Sequence, residues 1–199
     1  ATALVSCVAV FFAASVGRDQ SIEIWFLDDD PDLATYRDFT DRFGSDEMAV
    51  IGAFSDDAYS PETLASVDRL SKAAADVPWA ARVRSLTTAE IADGEDGAIF
   101  TGLLVDALPQ TAQEAETIKQ RGQRNKIVSS TLVSKSGRGT AVIVEIDPKA
   151  NDYARKTEFV QALRAVIAAE ETLSGIDLQL GGNPPMDEAF VRFNQRDSN

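Results

Sequence analysis

Residues 48–86 read MAVIGAFSDDAYSPETLASVDRLSKAAADVPWAARVRSL, and this stretch decides the fold class. It opens with an apolar run bounded by charged residues, which predicts a buried strand over 48–54. Ser60 and Pro61 then predict the start of a helix, because Ser caps a helix N-terminus and Pro suits the first helical position. Alternation over 81–86 is typical of a second strand. The stretch therefore predicts a strand–helix–strand unit.

The central part of the chain predicts one helix and one hairpin. The helix runs from about 110 to 121, and Gly122 falls where a left-handed terminating residue belongs. Two strands are predicted at 127–133 and 140–146, because residues 136–139 (SGRG) supply the positive φ angles of a hairpin turn.

The C-terminal part completes a recognisable order of elements. Residues 153–173 carry an apolar helical face, Gly175 ends that helix, and 176–180 is predicted to return as a strand. The order β, α, β, hairpin, α, β is that of a split βαβ or ferredoxin-like unit, so we expect an α+β fold. The helix near 110–121 and the stretch 98–108 are extra to this plan.

Shorter helices are predicted on both sides of this unit. Asp30 can cap a helix that begins at Pro31 and ends near Gly44. The run of aspartates before it fits a cap better than a calcium loop, whose Gly and Glu spacing is absent. At the other end, GGNPP at 181–185 predicts a turn that leads into a helix over 186–193.

The first seventeen residues, 1–17, carry no charge and read ATALVSCVAVFFAASVG. This length suits the C-terminal part of a transmembrane helix, the core of a signal peptide or a buried helix, and we favour the first. Between 18 and 57 there are three Arg and no Lys against twelve Asp and Glu. Cytoplasmic flanks are usually enriched in Lys and Arg, so we expect the following region to be extracytoplasmic.

Composition argues against several function classes. The 199 residues contain 19 Lys and Arg against 32 Asp and Glu, a net charge of −13, which would repel a nucleic-acid backbone. There is no histidine, so the common His-based relays and most zinc or copper sites are ruled out. Cys7 is the one cysteine and cannot form an internal disulfide. We expect no enzyme activity, no metal and no cofactor.

Three local patterns that resemble catalytic sites have simpler interpretations. The segment 135–139 (KSGRG) lacks the order of a phosphate-binding loop and is predicted to be a hairpin turn. Acyl-phosphate hydrolysis on a ferredoxin-like fold would need an Arg and backbone amides to converge on the loop 55–60, where two aspartates would repel the anion. Glu170 and Glu171 point about 100° apart on a helix, so we expect a solvated face.

The apolar segment 98–104 (AIFTGLL) fits neither helical nor strand spacing clearly. It either lines a path for an apolar ligand or packs on the core as an irregular strand, and the second is the more common case.

The order of several segments resembles the resistance-nodulation-division (RND) superfamily of exporters, particularly its MMPL-like and hopanoid-exporter-like branches. The segments that carry the resemblance are WFLDDDP at 25–31, YRDFTDRFGSDE at 36–47, YSPE at 59–62, VRSLTT at 83–88, LVSKSGRGTA at 132–141 and NPPMDEAF at 183–190. The resemblance spans almost the whole chain and depends on the order and spacing of these segments.

The resemblance implies an extracytoplasmic porter loop between the first two transmembrane helices of a proton-motive-force-driven exporter in the bacterial inner membrane. It divides the chain into the end of a transmembrane helix (1–17), a connecting segment with an amphipathic helix (18–47), a ferredoxin-like porter domain (48–182) and a lead-in to the next membrane helix (183–199).

The implied partners are the rest of the same transporter, namely its membrane helices and second porter loop, together with the membrane and a hydrophobic small molecule or lipid. A homo-oligomer is allowed, and nucleic acid is not expected. Substrate contacts would fall on Phe100, Leu103 and Leu104. The alternatives are a membrane-anchored periplasmic module that binds a lipid or partner without transport, and an acyl-phosphate hydrolase.

Overall fold

The computed structural model describes residues 26–27, 29–44, 47–95, 98–150 and 152–197. The expectations for 1–17 lie outside these residues. The helices and strands, in chain order, are α1 (Pro31–Phe43), β1 (Met48–Phe54), α2 (Pro61–Ala75), β2 (Ala80–Arg84), β3 (Glu90–Glu95), β4 (Ala98–Leu103), α3 (Ala112–Arg124), α4 (Lys126–Thr131), β5 (Gly139–Ile146), α5 (Tyr153–Ser174), β6 (Asp177–Gly182) and α6 (Asn183–Asp197).

The main sheet has four strands in the order β2-β5-β1-β6, and every neighbouring pair is antiparallel. Helix α2 connects β1 to β2 with β5 between them, and α5 connects β5 to β6 with β1 between them. These are two interlocked split βαβ units, so the chain has the predicted α+β, ferredoxin-like arrangement.

Local capping explains where the helices begin and end. The Asp30 side chain accepts a hydrogen bond from the Asp32 amide, and the Ser60 hydroxyl accepts one from the Thr63 amide. Gly175 ends α5 with φ 69°, the left-handed conformation expected of a terminating glycine. These three predicted helix boundaries are confirmed.

The predicted turn at 181–185 is shorter than expected. Gly182 is the last residue of β6, and α6 begins at Asn183. Gly182 has φ 105° and lies against the Met48 carbonyl of β1, where a Cβ would overlap it. A glycine is therefore needed at this position for the chain to pass directly from strand to helix.

Everything between β2 and β5 is an insertion in the ferredoxin-like plan. It contains a two-stranded sheet of β3 and β4, followed by α3 and α4. The stretch 98–108, expected to be extra, begins with β4, which pairs with β3 from Glu90–Leu103 to Glu95–Ala98.

The predicted strand at 127–133 is wrong, because this segment forms α4 instead. The Asn125 side chain accepts hydrogen bonds from the Ile127 and Val128 amides and so caps a short helix. One isolated bridge, Val133 to Thr140, remains of the expected hairpin. The β-branched residues favoured a strand on propensity, but the Asn125 cap stabilises a helix, in which Val128 is buried.

Gly122 does not end α3 but lies inside it, where it is buried. The Tyr59 ring and hydroxyl pack directly against this point of the helix, and a Cβ on residue 122 would overlap the hydroxyl. The glycine is needed here for close approach of an aromatic side chain and not for a turn.

The buried apolar residues form two clusters. The main core fills the space between one face of the four-stranded sheet and helices α2 and α5, and its largest members are Ile51, Leu70, Val142, Val144, Ile146, Phe159 and Leu163. The second core belongs to the insertion together with the β1–α2 loop and the first turn of α2, and its members include Tyr59, Leu64, Leu86, Ile91, Leu104, Ile118, Val128 and Leu132.

Among the residues that the structure describes, no helix combines the length and apolar character needed to cross a bilayer.

Candidate functional site

A groove of about 610 Å³ lies where the main sheet meets the insertion. We call it the seam groove. Its wall on the sheet side comes from β2 and β5, and its wall on the insertion side comes from the start of β3 and from α4. The lining residues used below are Arg82, Arg84, Glu90, Ile127, Val128, Leu132 and Ile143.

The floor of the seam groove is apolar. Val142 and Val144 of β5 point into the main core, so Ile143 between them points to the opposite face of the sheet, away from α2 and α5. There Ile143 packs against the second core, to which Val128 and Leu132 belong. The floor is therefore continuous apolar surface shared by the sheet and the insertion.

Ile127 extends this apolar surface to the lip of the groove. It is the second residue of α4, lines the groove, and is 76% exposed. Ile127 thus adds exposed apolar area next to the apolar floor.

The sheet side of the groove carries two arginines. In the β2–β5 register Arg82 is opposite Glu145 and Arg84 is opposite Ile143, so both arginines share the face of the sheet that carries Ile143. Glu145 is nearly buried and forms ion pairs with both, directly with Arg84 and at 3.8 Å with Arg82. The side chain of Arg82 is 65% exposed and that of Arg84 is 56% exposed.

Glu90, at the start of β3, also lines the groove. Within the described part of the chain it makes no ion pair with a basic residue. The lining of the groove thus combines an apolar floor, two guanidinium groups and one carboxylate.

Two of the three residues predicted to contact substrate, Leu103 and Leu104, do not line this groove. Leu104 is fully buried in the second core, and its amide donates to the Ala89 carbonyl at 2.8 Å. Leu103 is partly exposed, and its carbonyl accepts a hydrogen bond from Arg121. Phe100 lies in β4 opposite Asp93, and its side chain is outside the described residues. Of the two interpretations offered for 98–104, a ligand path or packing on the core, Leu104 fits the second.

Sequence reasoning missed the groove because it assigned the wrong structure to 127–133. As a strand, this segment would have extended the sheet, whereas α4 leaves a gap beside Ile143. The sequence did contain one signal for the groove, namely Arg82 and Arg84. The alternation of side chains along a strand places these two residues on the same face, and basic residues are the minority in this acidic chain.

A second, polar pocket of about 440 Å³ lies on the other side of α4. Lys119 donates to Asp57 at 2.7 Å within it. Burial alone would raise the pKa of Asp57, but the bonds from Lys119 and the Tyr59 amide outweigh this and lower it. Burial, together with the Asp57 charge, raises the pKa of Tyr59 to about 12.

The loop beside this pocket tests the acyl-phosphate alternative. Arg138 does approach the loop, but it binds the Asp56 carboxylate at 2.9 Å. Four amides of the loop already have protein acceptors, namely those of Ser55, Ala58, Tyr59 and Ser60. Arg138 and these four amides are therefore engaged by groups of the protein itself.

Glu170 is not on a solvated face, which corrects the expectation for Glu170 and Glu171. It is buried between α5 and α2, where Ser66 donates to it at 2.6 Å and Arg69 at 2.7 Å. Burial opposes its ionisation, but the bonds from Arg69 and Ser66 outweigh burial and lower its pKa. Ion pairing across two helices could not be inferred from the positions of the two carboxylates on one helix.

No group of three or more acidic or thiol side chains in a metal-binding arrangement occurs within the described ranges. Comparison with known proteins found that no family model matches the chain and that no curated protein matches it significantly.

Proposed function

We propose that this chain is the extracytoplasmic porter domain of a proton-motive-force-driven exporter of the RND type, which moves hydrophobic or amphiphilic molecules out of the bacterial inner membrane. The observation that carries the proposal is the seam groove, whose apolar floor lies at the boundary between two separate cores. Leu64 of α2 and Ile143 of β5 connect the second core to the ferredoxin-like unit, and transport would require the insertion to shift at these contacts so that the width of the groove changes.

The ferredoxin-like arrangement supports the same proposal. The proposal places the domain between two membrane helices of the exporter. Both connections need firm attachment to the domain if movement in the membrane is to reach the groove.

Lys156 supplies such an attachment. It is 5% exposed at the start of α5, binds Glu47 at 2.6 Å just before β1, and lies 4.0 Å from Asp187 in α6. Burial raises the pKa of Asp187, and the Lys156 charge partly offsets this. One buried ammonium therefore joins both ends of the domain to the same helix.

The test is transport by the gene product with its native flanking sequence, in everted membrane vesicles. We expect uptake of a fluorescent amphiphile when respiration energises the vesicles, and loss of uptake when a protonophore collapses the gradient. Ile127→Asp, at the exposed lip of the groove, should reduce uptake at least tenfold. Leu173→Asp is the matched control, because Leu173 is also an exposed aliphatic residue on a helix and lies outside the groove.

Two results would contradict the proposal. Amphiphile binding that persists without any gradient-dependent uptake would favour the membrane-anchored binding module instead. Uptake that is equally reduced by both substitutions, or by neither, would remove the groove from the transport path.

A further inference from the structure

The seam groove is lined by charges of both signs. Arg82 and Arg84 come from the sheet, and Glu90 comes from the insertion. Glu145 neutralises one of the two arginines, so the arginine side of the groove keeps about one net positive charge, and Glu90 adds one negative charge to the lining.

The arginine wall has hydrogen-bonding capacity to spare. A guanidinium carries five donor N–H groups, and the closest contact of Arg82 with Glu145 is 3.8 Å, beyond hydrogen-bond length. Arg82 therefore presents most of its donors outward, in a geometry suited to a phosphate or carboxylate.

The apolar floor and the volume limit the rest of the ligand. The floor formed by Ile143, Val128 and Leu132 offers no hydrogen-bond partner from its side chains, so the matching part of a ligand is hydrocarbon. A volume of about 610 Å³ lies within the range of about 300 to 1,000 Å³ typical of sites for one small ligand. This favours one acyl chain over two.

We propose that the seam groove binds a single-chain zwitterionic amphiphile, with its anionic group on Arg82 and Arg84, its ammonium facing Glu90, and its chain on the apolar floor. The inference uses the groove on which the proposed function also depends, but it concerns the chemistry of the ligand and does not require transport. A purely anionic ligand would be repelled by the Glu90 carboxylate, and a purely cationic ligand would be repelled by Arg82 and Arg84.

The test uses the purified 199-residue chain and three probes with the same twelve-carbon chain, each below its micelle concentration. They are lauroyl lysophosphatidylethanolamine, which is zwitterionic, lauroyl lysophosphatidylglycerol, which is anionic, and monolaurin, which is neutral. Calorimetry should give the tightest binding for the zwitterionic probe and the weakest for monolaurin.

Substitutions in the two walls separate the charge contributions. Double replacement Arg82→Gln and Arg84→Gln should weaken both phosphate-bearing probes about tenfold or more and leave monolaurin unchanged. Glu90→Gln should weaken the zwitterionic probe and strengthen the anionic one. Arg138→Gln is the matched control, because this exposed arginine pairs with Asp56 outside the groove.

The outcomes distinguish this inference from the proposed function. Equal affinity for all three probes, or no effect of Glu90→Gln on their order, overturns the zwitterion assignment while leaving an apolar transport groove intact. The expected order of affinities without gradient-dependent uptake sustains the assignment and overturns the exporter. If none of the three probes binds, the inference is overturned.

Discussion

The ferredoxin-like unit and its insertion bury their apolar residues in different ways. In the ferredoxin-like unit, the long helix α5 and helix α2 cover one face of four paired strands, and the core residues come from five elements that alternate regularly. The insertion has one two-stranded sheet, a thirteen-residue helix and a six-residue helix around a smaller core. The ferredoxin-like unit therefore has the larger core and the more extensive strand pairing, and the insertion depends on the smaller core.

The largest expected effect comes from truncating one side chain in each core. Phe159→Ala in the main core should lower the free energy of unfolding by about 3–5 kcal/mol and Leu104→Ala in the second core by about 2–5 kcal/mol, because both residues are fully buried. Amide hydrogen exchange should distinguish the two variants by where in the chain exchange becomes faster. Phe159→Ala should accelerate exchange throughout the chain, whereas Leu104→Ala should accelerate it in β3, β4, α3 and α4 and leave β1 and β5 protected. Uniform acceleration in both variants would mean that the two cores unfold as one.

A second prediction concerns the ion pair between Arg69 of α2 and Glu170 of α5 in the ferredoxin-like unit. Glu170→Ala should cost about 1–3 kcal/mol, because it leaves Ser66 and part of Arg69 without their acceptor. The cost is below that of a fully buried pair, since the Arg69 side chain is partly exposed.

The pH dependence follows from the lowered pKa of Glu170. A carboxylate whose pKa is lower in the folded state contributes stability that is present above its ordinary value of 4.5 and is lost as the pH falls through the folded value. Urea unfolding of the wild-type chain and Glu170→Gln should therefore differ at pH 7 and converge under acid conditions. A difference that does not change with pH would contradict this assignment.

The smallest expected effect tests the contact between Tyr59 and Gly122 in the second core. A helix-interior Gly→Ala change normally stabilises by up to about 1 kcal/mol, but Gly122→Ala should destabilise by about 1–2 kcal/mol because the new methyl group overlaps the tyrosine hydroxyl. Tyr59→Phe should be neutral or slightly stabilising, since this buried hydroxyl has no hydrogen-bond partner among the described residues.

The double variant Tyr59→Phe with Gly122→Ala completes this comparison. Removing the hydroxyl should recover most of the cost of Gly122→Ala in urea unfolding, which gives a favourable coupling energy between the two positions. If the two effects simply add, the close approach of Tyr59 to α3 is not what requires glycine.

Much of the ferredoxin-like unit was predictable because its signals are local. The apolar run of β1, the Ser60 and Asp30 caps and the terminating Gly175 all act within a few residues of the chain. The insertion was less predictable. Residues 127–133 carry strand-favouring side chains, and the capping role of Asn125 was not recognised in the sequence.

The candidate site was the least predictable part. Phe100, Leu103 and Leu104 were chosen because they are apolar and close together in sequence, yet Leu104 is a core residue and the groove forms elsewhere. Glu170 illustrates the same limit, because its partners on α2 are about a hundred residues away along the chain.

By itself, the sequence determined the α+β class, the approximate positions of β1, β2, β5 and β6, the starts of α1 and α2 and the end of α5, because periodicity and capping operate over one or two turns. Only the tertiary structure decided that 126–131 is helical, that Gly122 is a packing position, and that Ile143, Leu132 and the paired arginines share one groove. Those outcomes depend on which surfaces meet after the chain has folded, and burial against a distant element contributes more free energy than local propensity does.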